Sequence, residues 1–175
     1  MKKTSFIILL LLVTSALLFS ACGGGGGGGT TEGNTTGGNT TTQSTQAIVK
    51  LSATGTLATG TQIGGIDITM HLPAGVTIKS TTNPPETDSG IVTASGLAVS
   101  NSSVVANYTA SSGTVHIVLA NPNGFSTGEF ATVNCDIAAG SNPTQTDFSV
   151  VNMTAKDLNG IAISGLSAVL TADIH

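Results

Sequence analysis

From Ala47 onward, apolar and polar residues alternate with a period of two along most of the chain. "GGIDITMHLP" puts Ile66, Ile68, Met70 and Leu72 on one face and Asp67, Thr69 and His71 on the other. "GTVHIVLANP" sets Val115, Ile117 and Leu119 against Thr114, His116 and Val118, and "AIVKLSAT" sets Val49, Leu51 and Ala53 against Ile48, Lys50 and Ser52. "FATVNCDIAAG" alternates Ala131, Val133, Cys135 and Ile137 with Thr132, Asn134 and Asp136, and "SVVANYTA", "DFSVVNMTA" and "GLSAVLTADI" continue the pattern. A period of two is that of a strand with one face in a core. Between these runs lie clusters of Gly, Asn, Pro and Ser: "ATGTQIGG", "STTNPPETDSG", "TASSG", "NPNGFSTG", "AAGSNPTQ" and "KDLNG". No window of a dozen residues carries a capped helical stripe, and "STGEFATVN" supports one helical turn at most. The pattern predicts an all-β fold, a single antiparallel β-sandwich of about eight to nine strands.

The first residues follow a different logic. Lys2 and Lys3 precede an almost unbroken apolar run over residues 6–19, then Ser20 and Ala21. A charged start, a short apolar run and a small-residue end make a secretory signal, and the run falls short of the ~18–20 residues of a permanent membrane helix. "LFSAC", ending at Cys22, resembles the lipobox of bacterial lipoproteins, with Phe19 where that family usually has Leu. The resemblance implies that Cys22 is acylated, becomes the first mature residue and holds the protein to a lipid bilayer. Seven glycines follow, then a Thr/Asn/Gly-rich stretch whose single charge is Glu32. Such a segment cannot offset its ordering entropy and reads as a disordered tether, typically spanning ~25–30 Å. Gly23 is not the aspartate of an inner-membrane retention signal, so the expected address, for a Gram-negative host, is the outer membrane. The expected organisation is a signal peptide over 1–21, a tether over 22–46 and a sandwich over 47–175.

Charge then narrows the partners. The precursor carries a net charge of −4, but Lys2 and Lys3 leave with the signal. Three lysines (Lys50, Lys79 and Lys156) then face nine acids, giving −6, and there is no arginine. Nucleic-acid binding needs a basic face and is excluded on that ground. With Cys22 acylated, Cys135 stands alone on an apolar strand face and reads as a small buried hydrophobe. A sandwich this rich in Thr and poor in lysine also has little charge guarding its edge strands.

Three stretches carry a family resemblance: "QIGGIDITMHLPAGVTI", "SGTVHIVLANPNGFSTGEFATVNCDIAAG" and "DFSVVNMTAKDLNGIAI". Their succession of strands and turns resembles a bacterial cohesin-type domain and covers most of residues 47–172. The resemblance implies a nine-stranded jelly-roll-like sandwich, related in fold to some carbohydrate-binding modules. It also implies non-catalytic recognition of another protein, a dockerin module in the best-known members. The chain has no dockerin and no second copy of the domain.

No catalytic set emerges from the residues. His71 and His116 fall on outward strand positions and His175 ends the chain, while Asp67, Asp136, Asp147 and Asp157 lie in strands or turns with no aromatics to hold a sugar. No cofactor is expected. Asp157 and Asn159 with Gly160, and Glu86 and Asp88 with Gly90, offer oxygen ligands for calcium, but neither stretch has the ligand count of a calcium loop. Both read first as turns. Aromatic stacking on glycans needs exposed rings; tryptophan is absent, Phe130 and Phe148 read as core, and Tyr108 and Phe125 are left as the rings open to solvent. Asn-x-Ser/Thr triplets at Asn34, Asn39, Asn101, Asn107 and Asn152 read as products of a Thr-rich composition. The expected function is a lipid-anchored envelope module that binds a dockerin-like or other envelope protein without catalysis. The alternative is a polysaccharide-binding or structural surface protein.

Overall fold

The computed structural model describes residues 43–81 and 86–175. The expected signal peptide over 1–21, Cys22 and most of the expected tether over 22–46 lie outside the described residues. From Gln43 the chain already bonds to the sandwich: the Gln43 side chain donates to the Ala138 carbonyl, and the Thr45 and Gln46 N–H groups donate to the His175 carbonyl.

The fold is all-β, with two antiparallel sheets. One sheet runs β10 (Ser167–Ile174), β1 (Gln46–Thr54) and β7 (Gly128–Ile137). The far edge of β7 is shared by the short strands β3 (Val76–Thr77) and β4 (Val92–Ala94). The other sheet runs β5 (Ser103–Thr109), β6 (Thr114–Phe125), β2 (Ile63–His71), β8 (Ser149–Asp157) and β9 (Ala162–Ile163). Among the described residues ten strands form where about eight to nine are expected, and two of them, β3 and β9, have only two residues each.

The core is built as the alternation predicts. Val49 and Leu51 of β1, Ile66, Ile68 and Met70 of β2, Val115, Ile117 and Leu119 of β6, and Val133 of β7 are buried between the sheets. Each such large aliphatic side chain contributes about 1.5–3 kcal/mol on burial. Phe130, next to Ala131, is buried too, because the β1–β7 register shifts between Leu51 and Ser52 and admits one residue out of phase.

"NPNGFSTG" departs from its reading as a simple turn, since β6 continues through Phe125. Pairing with β2 jumps from Gly65–Ala120 to Ile63–Phe125, so residues 121–124 bulge out between the two pairs. The buried Asn121 organises the bulge. Its Nδ2 donates to the Ser100 carbonyl at 2.8 Å and to Ser102 Oγ at 2.9 Å, and its Oδ1 accepts the Asn123 N–H at 2.9 Å. A proline is tolerated at such a bulge because no ladder bond needs its missing N–H.

Candidate functional site

The outer face of the sheet β5–β6–β2–β8–β9 gathers the polar halves of four alternating strands. Strand register places its side chains in rows. Asn107, His116, Thr69 and Asn152 form one row, and Val105, Val118, Asp67 and Thr154 form the next. Ser103, Ala120, Gly65 and Lys156 follow. Val105 and Val118 are direct cross-strand neighbours, 57% and 41% exposed. Beside them the surface dips into a depression of about 260 Å³ between Val118, Ala120, Asp67, Thr154 and Lys156. Gly65 makes the dip: with no side chain, it leaves the sheet backbone as the floor.

Asp67 and His116 meet on this face. His116 Nε2 lies 2.9 Å from Asp67 Oδ1, diagonally across β6 and β2, with both side chains about half exposed. The pair ties two strands together at the surface. His71 lies on the same face, two residues along β2 from Thr69, and is exposed, as is the terminal His175.

The two stretches that offer oxygen ligands for calcium each form a turn. Asp157 Oδ1 accepts the N–H groups of Asn159 at 2.9 Å and Ile161 at 2.8 Å, while the Gly160 N–H closes back on the Asp157 carbonyl. One carboxylate oxygen is thus occupied by backbone, the arrangement of an Asx-type turn. Asn159 and Gly160 form the exposed tip of that turn. In the second stretch, the Asp88 N–H donates to the Lys79 carbonyl and the Ile91 N–H donates to that of Asp88. Glu86 bridges to Asn107 at the margin of β5. Among the described residues, no three His, Cys, Asp or Glu side chains converge as a metal site would require.

Asp147 caps a 3-10 turn. It closes a capping box with Thr144 at the 3-10 turn Gln145–Asp147, and the Thr144 N–H and hydroxyl hydrogen bonds hold its carboxyl below the ordinary aspartate range. Asp136 points outward from β7, opposite Gln46.

The two rings expected to be open to solvent are buried. Tyr108 is 7% exposed and Phe125 4%. Tyr108 follows Ala106 on the inward side of β5, and its phenol is raised by burial and then by the nearby Cys135. Phe125 is drawn inside by its pairing with Ile63 below the Asn121 bulge. Phe130 and Phe148 are core as expected, so all four rings of the described residues lie inside. Cys135 is a free, buried thiol pushed up to about 12, first by burial and second by the charge of Asp136.

One motif is overlooked when the chain is read for strands alone. Gly124-Phe125-Ser126-Thr127-Gly128 spells G-x-S-x-G. A nucleophile elbow needs a strand turning sharply into a helix. Here the stretch joins β6 to β7, strand to strand, and Phe125 faces the core.

No family model matches the sequence, and no curated protein matches it. Among solved structures, the chain is similar to a non-cellulosomal cohesin from the hyperthermophilic archaeon Archaeoglobus fulgidus, with 14% identity, a TM-score of 0.49, and coverage of 70% of this chain and 75% of that one. It is similar to the type II cohesin A11 from Bacteroides cellulosolvens, at 12% identity and TM-score 0.47, over 68% of this chain and 82% of that one. A type II cohesin domain from the cellulosome of Acetivibrio cellulolyticus is similar at 17% identity and TM-score 0.44, over 74% and 95% of the two chains.

Proposed function

We propose that this protein is a non-catalytic protein-binding module held at the cell envelope through an acylated Cys22, and that it binds its partner with the outer face of β5–β6–β2–β8. The observation that carries the reading is the exposed Val105–Val118 pair beside the Gly65 depression, surrounded by Thr, Asn, Ser and His side chains together with Asp67 and Lys156. An apolar centre within a polar rim is the anatomy of a protein interface. The outer face of the other sheet is more charged, carrying Lys50, Glu129, Asp136 and Asp173, with Lys50 and Glu129 3.6 Å apart. The anchor reading is supported by the sequence of residues 1–22, and Gly23, in place of the aspartate of an inner-membrane retention signal, supports an outer-membrane address for a Gram-negative host. Polysaccharide binding is the weaker reading, because the rings that would stack on sugars are buried.

The test is capture of envelope proteins by the full chain at low salt, beside a Val118→Lys variant. A charge at an interface centre weakens binding by about tenfold or more, while an outward-facing substitution leaves the thermal transition where it was. Capture that survives both Val118→Lys and Val105→Lys moves the interaction off this face. Retention on insoluble glycan with no protein captured supports the polysaccharide reading instead. Intact mass of the membrane-extracted protein, beside Cys22→Ala, tests the anchor separately.

A further inference from the structure

The four sheet edges are not equally protected. The far edge of β7 is covered by β3 and β4. The edge of β5 is met by the segment after residue 85, through the Thr87 N–H to Ala106 carbonyl bond and the Glu86–Asn107 bridge. In the β5–β6–β2–β8–β9 sheet, β9 has two residues, and β8 beyond it is broken by a bulge at Val151, where pairing with β2 skips from Asn152 to Val150. Strand β10 is different. It runs eight residues, "SAVLTADI", with no Pro, Gly, Lys or bulge and one acid, Asp173. Among the described residues, β1 is its only strand partner. Long edges with so little charge and no bulge invite pairing with another strand.

The pairing that β10 offers follows from its register. Gln46 and His175 exchange both backbone bonds, at 2.9 and 3.0 Å. Antiparallel ladders alternate bonded and non-bonded pairs, so Ser167, Val169, Thr171 and Asp173 direct their N–H and C=O groups toward β1. Ala168, Leu170, Ala172 and Ile174 direct theirs outward, and their side chains are the inward, half-buried ones.

We infer that β10 pairs antiparallel with β10 of a second copy, with Thr171 opposite Thr171 on the two-fold axis. In this register Ala168 faces Ile174 and Leu170 faces Ala172, so all four outward-directed residues of each copy find backbone partners. Large side chains meet small ones along the inner row. On the outer row Thr171 meets Thr171, a favourable cross-strand pair, and Asp173 meets Val169. The register that sets Asp173 opposite itself opposes like charges and leaves outward groups unpaired. The interface is isologous, as a closed two-fold dimer requires, and joins the two β10–β1–β7 sheets into one. It is separate from the Val105–Val118 face, which belongs to the other sheet.

The experiment uses the full chain with Cys22→Ser, in sedimentation equilibrium and under mild oxidation. The expected result is a concentration-dependent dimer. Thr171→Cys cross-links it, because non-bonded pairs bring Cα atoms to ~4.5 Å, within disulfide reach of ~4.4–6.8 Å. Val169→Cys does not cross-link, because its counterpart lies about four residues, ~13 Å, along the partner strand. Ala172→Pro removes an outward N–H from each copy while sparing the β1 ladder, and weakens the dimer by about 10- to 100-fold. Three results overturn the inference: a monomer at every concentration, a dimer indifferent to a folded Ala172→Pro, or Val169→Cys cross-linking as readily as Thr171→Cys. A monomer is also what results if the chain's own residues before Gln43, or an unrelated strand, fill the edge. If Ala172→Pro loses its cooperative thermal transition, the two cysteine variants decide alone.

Discussion

Cys135 shows how one side chain couples burial to pH. Its thiol is pushed up to about 12, whereas an unfolded chain's cysteine titrates near ~8.5. The folded state therefore keeps a proton that the unfolded state releases. Stability is intact below the unfolded value and falls as pH rises toward the folded one, by about 1.4 kcal/mol per unit within that window. Tyr108, raised by burial, pulls in the same direction. Thermal melts of Cys22→Ser protein across the alkaline range are expected to show a falling Tm, with a shallower slope in Cys135→Ala. The folded protein should resist thiol reagents near neutral pH, and prompt labelling of Cys135 would contradict its burial. The position of Cys135 was legible in the alternation of β7. That of Phe125 was not, because the Asn121 bonds that shape its strand come from Ser100 and Ser102, about twenty residues away in sequence.

At the scale of elements, the β8–β9 connection depends on one carboxylate. Asp157 Oδ1 holds the N–H groups of Asn159 and Ile161, so Asp157→Ala leaves two donors without their acceptor and is expected to cost about 1–3 kcal/mol. Urea denaturation measures the loss. Added calcium is expected to leave the wild-type Tm unchanged, and a rise would mean that the carboxylate serves an ion as well as the turn. The turn itself was readable from "KDLNG", since Asx turns are local in sequence. Gly64 is tied to the same connection: a Cβ there would lie 2.8 Å from the Asp157 carbonyl oxygen. Nothing in "IGG" shows which of its two glycines meets a backbone and which floors a depression.

The whole molecule is held by pairings between distant parts of the chain. β1 lies between β7 and β10, and β2 between β6 and β8. Closing such loops before their contacts form is slow, so folding is expected in milliseconds to seconds, as for other all-β domains. Because both sheets share one core, urea unfolding should be a single transition, coincident by circular dichroism and by cysteine accessibility. Non-coincident probes would show that one sheet persists without the other.

Strand content, the inward residues of β1, β2, β6 and β7, the buried thiol and most turns were determined by the sequence alone. Each depends on side-chain periodicity or on bonds within a few residues. The tertiary structure decided which strands neighbour one another, and so which polar rows share a face. It set Val105 of β5 beside Val118 of β6 and Asp67 of β2 against His116, and among the described residues it left β10 as the long open edge. Period-two patterning tells each strand which side is inward but is silent on its neighbours, because any two amphipathic strands can pair with their apolar faces aligned.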